Sequence, residues 1–103
     1  MVKHLNNKED FQAAIKSTKL VVVDFFAEWC GPCKYLAPQI EELQKANPTV
    51  EFYKVDVDEN GEVAEEQGIS AMPTIKFFKN GVVLDEVVGA DIKKITNLVG
   101  THK

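Results

Sequence analysis

The run Leu20-Val21-Val22-Val23-Asp24-Phe25-Phe26-Ala27 is apolar apart from one charge, and it limits the fold more than any other feature of the chain. A strand this apolar has no face to give to water, so it belongs at the centre of a sheet covered on both sides, the setting of parallel strands in α/β proteins. The rest of the chain supplies the covers. Asn7 can cap a helix with Phe11, Ala14 and Ile15 on one face. A second helix starts in Cys30-Gly31-Pro32-Cys33, carries Leu36, Ile40 and Leu43 at helical spacing, and stops at Asn47-Pro48; Pro38 inside it predicts a kink. Val50 to Val57 reads as a strand, and Asp58 is placed to cap a short acidic helix that Gly68 ends. Thr74 to Phe78 and Val82 to Val88 flank Asn80-Gly81, so these strands are expected to be antiparallel. Asp91 caps a closing helix with Ile92, Ile95, Leu98 and Val99 inward and Lys93 and Lys94 outward. Phe11, Phe25, Phe26, Phe52, Phe77 and Phe78 read as core, Glu41-Glu42 and Glu65-Glu66 as solvated helix faces. The expected class is α/β with a mixed sheet, in a single domain over residues 1–103.

A chain of this length buries about 60–70% of its unfolded surface, enough for a core without staples, so the 2 cysteines are free for chemistry. With 16 acidic and 12 basic residues, all lysine, the net charge is −4, which argues against nucleic-acid binding. No apolar leader precedes the first strand and no apolar run approaches the roughly 20 residues that span a bilayer, so a soluble, intracellular protein without a membrane partner is expected. In a reducing compartment, cysteines three apart are a metal half-site or a redox pair. Zinc needs four ligands, and His4 and His102 stand alone near the termini. Lys34 follows Cys33 where haem attachment needs histidine, and two cysteines cannot hold an iron–sulfur cluster. A bridge closing so short a ring stabilises by only about 2 kcal/mol in the chain-entropy model. The expectation is therefore a redox pair and no metal. On a first helical turn, Cys30 lies by the orphan amides and the positive end of the helix dipole, which favour thiolate; it is read as the exposed nucleophile, and Cys33, inside the turn, as the shielded resolver. Pro32 stiffens the turn without demanding a hydrogen bond. A pKa falling from about 8.5 to about 7 raises the thiolate fraction at pH 7 roughly 16-fold, while lower nucleophilicity takes back about 5-fold, so substrate docking matters as much as pKa. Asp24, an acid in an apolar strand, is expected to have a raised pKa.

Trp29-Cys30-Gly31-Pro32-Cys33-Lys34, the preceding Val22 to Ala27, Ala71-Met72-Pro73-Thr74, Phe78-Lys79-Asn80-Gly81 and Val88-Gly89-Ala90 resemble the thioredoxin family, in order and over essentially the whole chain. The resemblance implies a central five-stranded mixed sheet flanked by four helices, and a general protein-disulfide reductase. The small size and the Gly31-Pro32 dipeptide are similar to cytosolic-type eukaryotic members, whereas disulfide isomerase domains typically carry Gly-His and glutaredoxins Pro-Tyr. By the same resemblance Asp24 exchanges a proton with Cys33 through water, Lys54 adjusts that acid, and Pro73 follows a cis peptide facing the cysteines. Trp29, Ala71, Met72, Val88, Gly89 and Ala90, with Gly31 and Pro32, would form a flat apolar substrate-binding patch. The implied partners are thioredoxin reductase, through which NADPH is used indirectly with no cofactor bound, and disulfide-containing proteins such as peroxiredoxin, ribonucleotide reductase and methionine sulfoxide reductase. A monomer in the cytoplasm, with the nucleus also open, is implied. Tyr35, Ser70 and Ala71 fall where the family varies, which bears on partner preference. Other readings are a redox-independent binding subunit using the patch, or an oxidase or isomerase; a reduction potential near about −270 mV marks a reductase and near about −180 mV an isomerase.

Overall fold

The computed structural model describes residues 1–103. Along the chain run β1 (Lys3–His4), α1 (Lys8–Ile15), β2 (Val21–Phe26), α2 (Gly31–Ala46), β3 (Glu51–Asp56), α3 (Gly61–Glu66), β4 (Thr74–Lys79), β5 (Val82–Val88) and α4 (Ile92–His102). The strands form one five-stranded sheet in the order β1-β3-β2-β4-β5. β1, β3 and β2 are parallel, and β4 is antiparallel to both β2 and β5.

β2 occupies the centre, as its apolar run requires. Val21, Val23 and Phe25 pack with Phe11 of α1 and Val63 of α3 on one face of the sheet. Val22 packs with Leu36, Ile40 and Leu43 of α2 and with Ile95 and Val99 of α4 on the other. Each such side chain contributes about 1.5–3 kcal/mol through burial, so a central strand with no wet face anchors both halves of the core. Local signals fix the rest. Asn7 Oδ1 accepts the Asp10 N–H at 2.8 Å and Asp91 Oδ1 accepts the Lys94 N–H at 3.1 Å, so both expected caps form. Asn80 (φ 55°) and Gly81 (φ 80°) take the left-handed conformations of the two-residue turn whose twist matches paired strands. α2 continues through Pro38 as one 16-residue element.

Four features depart from the expectations. β1 has no counterpart among the strands read from periodicity; it is two residues long, registers Lys3 against Tyr53 and His4 against Lys54, and is held by the burial of Val2 and Leu5 on either side. Asp58 does not cap α3. That helix starts after Asn60, which makes no side-chain cap bond, while Asp56 Oδ1 takes the Asp58 N–H at 2.9 Å and so delays the helix. Phe26 is half-buried rather than core, with the His4 ring 5.8 Å away and Lys54 Nζ 5.8 Å from its centroid. Glu41 is not simply solvated: its Oε2 accepts the Val2 N–H at 3.0 Å and ties the N-terminus to α2. No helix is long and apolar enough to cross a membrane.

Candidate redox site

β2 ends at Phe26 and α2 begins at Gly31, so the centre of the sheet delivers the chain to a helix N-terminus at its edge. Cys30 is the N-cap of α2, and it is bonded to Cys33 through a disulfide with Cα atoms 5.2 Å apart. The Cys33 N–H donates to Cys30 Sγ at 3.2 Å, so a sulfur does what an oxygen usually does at this position. The expected contrast in exposure is absent: Cys30 is 5% and Cys33 3% exposed. Ala27, Phe26, Val57 and Met72 pack around the bridge, and Gly31 and Pro32 are on the surface. The two sulfurs differ in their surroundings. Cys30 Sγ lies 3.7 Å from the Met72 carbonyl oxygen, whereas Cys33 borders a surface cleft of about 160 Å³ lined also by Asp24, Phe26, Lys34 and Lys54.

Asp24 sits in the middle of β2, registered against Lys54 on β3 and Ile75 on β4. It is 5% exposed, and its Oδ1 is buried without a hydrogen-bond partner. Burial pushes the carboxyl up to about 7, and the positive charge of Lys54 pulls the other way. Asp24 and Cys33 both line this cleft, and Lys54 of β3 lines the same opening.

The segments before β4 and after β5 lie together at the end of the sheet away from the Asn80-Gly81 turn. Met72–Pro73 is a cis peptide, the Gly89 N–H donates to the Pro73 carbonyl at 2.8 Å, and the Thr74 hydroxyl donates to the Ala71 carbonyl at 2.6 Å. Gly89 has φ 103°, which a side chain would strain. These bonds tie the Ala71–Pro73 segment to the end of β5, and Met72 packs against the cysteines. Val88 is 60% and Trp29 67% exposed, Ala71 is exposed, and Met72, Gly89 and Ala90 are half-buried. Trp29 is oriented by its Nε1–H, which donates to Asp58 Oδ2 at 2.8 Å. Sequence reasoning missed Asp58 and Thr74 here. Asp58 was legible only as a cap candidate, and a threonine opening a strand carries no signal of the carbonyl folded over it. An ideal Cβ on Gly31 would meet nothing within 4 Å, so that position is open. No group of three or more His, Cys, Asp or Glu side chains is placed to hold a metal ion.

A disulfide capping a helix that leaves the central strand of a mixed sheet, backed by a buried acid and faced by a cis-proline loop, defines a thiol–disulfide oxidoreductase. Residues 2–101 match the family model described as Thioredoxin. Thioredoxin-1 of Saccharomyces cerevisiae is 47% identical over 102 residues, covering 99% of each chain. Thioredoxin-2 of Pyricularia oryzae is 50% identical over 101 residues, 98% of this chain but 59% of that longer relative. The X-ray structure of Fasciola hepatica thioredoxin superposes with a TM-score of 0.96 at 43% identity, covering 99% of this chain and 100% of that one. The chain belongs to the thioredoxin family, whose fold is this five-stranded sheet with four helices.

Proposed function

We propose that the protein is a general protein-disulfide reductase and electron carrier. The observation that carries this reading is the Cys30–Cys33 disulfide at the start of α2 beside the buried Asp24. In the reduced protein the Cys30 thiolate, steadied by the amides of the first turn, attacks one sulfur of a target disulfide. A mixed disulfide forms and the other target sulfur leaves as a thiolate. Cys33 then gives its proton to the Asp24 carboxylate through water and attacks Cys30 Sγ; the second target sulfur leaves, and the Cys30–Cys33 disulfide forms. Two electrons have passed to the target. Thioredoxin reductase, drawing on NADPH, returns them, and no cofactor is bound to this chain. Lys54 moderates the Asp24 proton, while Gly31 and Pro32 keep the sulfurs within reach of each other.

The flat surface of Trp29, Ala71, Met72, Val88, Gly89 and Ala90 docks an extended segment of the target, and the apolar character of that surface suits unrelated partners. Peroxiredoxins, ribonucleotide reductase and methionine sulfoxide reductase are the partners this reading names. The 103 residues act as one domain and one monomer, in the cytoplasm, with the nucleus also open. The test is insulin reduction driven by dithiothreitol, which the pure protein accelerates; no acceleration overturns the reading. The two sulfurs are told apart by trapping. Cys33→Ser accumulates mixed disulfides at Cys30, and equal trapping by Cys30→Ser removes the assignment of roles.

A further inference from the structure

The segment from Gln67 to Met72 supplies the loop that faces Cys30, and two side chains of one strand hold it. Thr74 and Lys76 are two residues apart in β4 and so project from the same face. The Thr74 hydroxyl donates to the Ala71 carbonyl at 2.6 Å, and Lys76 Nζ donates to the Gln67 carbonyl, also at 2.6 Å. The loop is thus gripped where it leaves α3 and again just before the cis peptide. The next residue after the first grip, Gly68, turns away with φ 68°, so fixing the Gln67 carbonyl sets the direction in which the loop departs.

Lys76 is an expensive way to make that bond. It is 9% exposed and registers against Val23 of the central strand, on the sheet face lined by Phe78. An ammonium in such a place is tolerated only when its hydrogens are taken up. The Gln67 carbonyl takes one, and Glu86 Oε1, on the neighbouring β5, lies 3.6 Å away. Glu86 is half-exposed and can follow the lysine; the backbone carbonyl cannot.

We propose that Lys76 is a positioning residue that selects for protein substrates: by holding the Gln67 carbonyl it presents Ala71 and Met72 to an extended target segment beside Cys30. A small disulfide needs only the Cys30 sulfur and is indifferent to this grip. The inference rests on the reductase reading above, since it concerns how that site meets its substrate.

Lys76→Met keeps the length and apolar stem while removing the donor, and Lys76→Arg keeps a donor. Insulin reduction and reduction of 5,5′-dithiobis(2-nitrobenzoate) by the full chain are measured for both. In Lys76→Met the KM for insulin rises about threefold or more while kcat stays within about twofold, a part of what a hydrogen bond to a charged group supplies. The rate with the small disulfide is unchanged, Lys76→Arg restores the KM, and Glu86→Gln leaves both substrates unaffected. Amide hydrogen exchange in Lys76→Met speeds up over residues 68–72 and not in β2. An unchanged KM, or an equal loss on both substrates, overturns the proposal. If Lys76→Met does not fold by circular dichroism, Lys76→Gln decides: its shorter amide gives a smaller rise in KM for insulin alone, and no rise overturns the proposal. If the unaltered protein reduces neither substrate, it is the reductase reading that fails.

Discussion

Asp24 and Lys76 are both charged side chains set into apolar strands, and the molecule treats them in opposite ways. Lys76 is tied to a carbonyl and a carboxylate. Asp24 is left with an unpartnered Oδ1 and a carboxyl raised to about 7 by burial, against the pull of Lys54. A carboxyl whose value in the folded chain exceeds its unfolded value favours folding most when protonated. Below about pH 4 both states carry the proton and nothing is lost; between there and pH 7 the unfolded chain ionises while the folded one does not, and stability falls. Asp24→Asn is therefore more stable than the unaltered protein at pH 8 by about 4 kcal/mol, taking about 1.4 kcal/mol per pKa unit, and the gain vanishes near pH 4. Urea titrations at both pH values check it; equal gains at both would mean that repacking and not charge is responsible. The lone acid of Leu20 to Ala27 was legible because it breaks a run that is otherwise wholly apolar. The lysine of Thr74 to Phe78 was not, since in Thr-Ile-Lys-Phe-Phe it reads as the wet side of an ordinary strand. Nothing local reveals that α3 ends over it.

At the scale of elements, what could be read was what is specified locally. Asn7, Asp91 and Asn80-Gly81 each act on amides or turns within a few residues, and all three do in the fold what their side chains dictate. β1 depends on a partner strand some fifty positions away along the chain, and its two residues give no period to detect. α3 shows a competition between neighbours. Asp56 Oδ1 accepts from the N–H groups of Asp58 at 2.9 Å and of Glu59 at 3.4 Å, closing an Asx turn where a helix cap was expected. Asp58 is thereby freed to hold the Trp29 indole. Asp58→Ala should change stability by no more than about 0.5 kcal/mol, as for a surface substitution away from a cap, yet shift the emission of Trp29, the only tryptophan. A large loss in a denaturant titration would restore the cap; unaltered emission would mean that the indole is set by its packing.

For the molecule as a whole, the Cα radius of gyration of 12.1 Å is near the ~13 Å expected of a folded chain of about 100 residues. The sheet and its two helical layers make up that volume, and the disulfide lies at one end, closing a ring within the first turn of α2. Its loss therefore frees little chain. The oxidised form should exceed the reduced form in stability by about 2 kcal/mol, the chain-entropy value for so short a ring, with the far-ultraviolet circular dichroism the same in both. A gap several times larger, in urea titrations with and without reductant, would show that the sheet itself depends on the bridge. The outer surface of that ring has a separate consequence. Gly31 and Pro32 face solvent, and a side chain added at Gly31 meets no neighbour. A side chain at Gly31 can therefore be varied without steric conflict, which leaves the exchange chemistry of the ring adjustable at a position the core does not constrain.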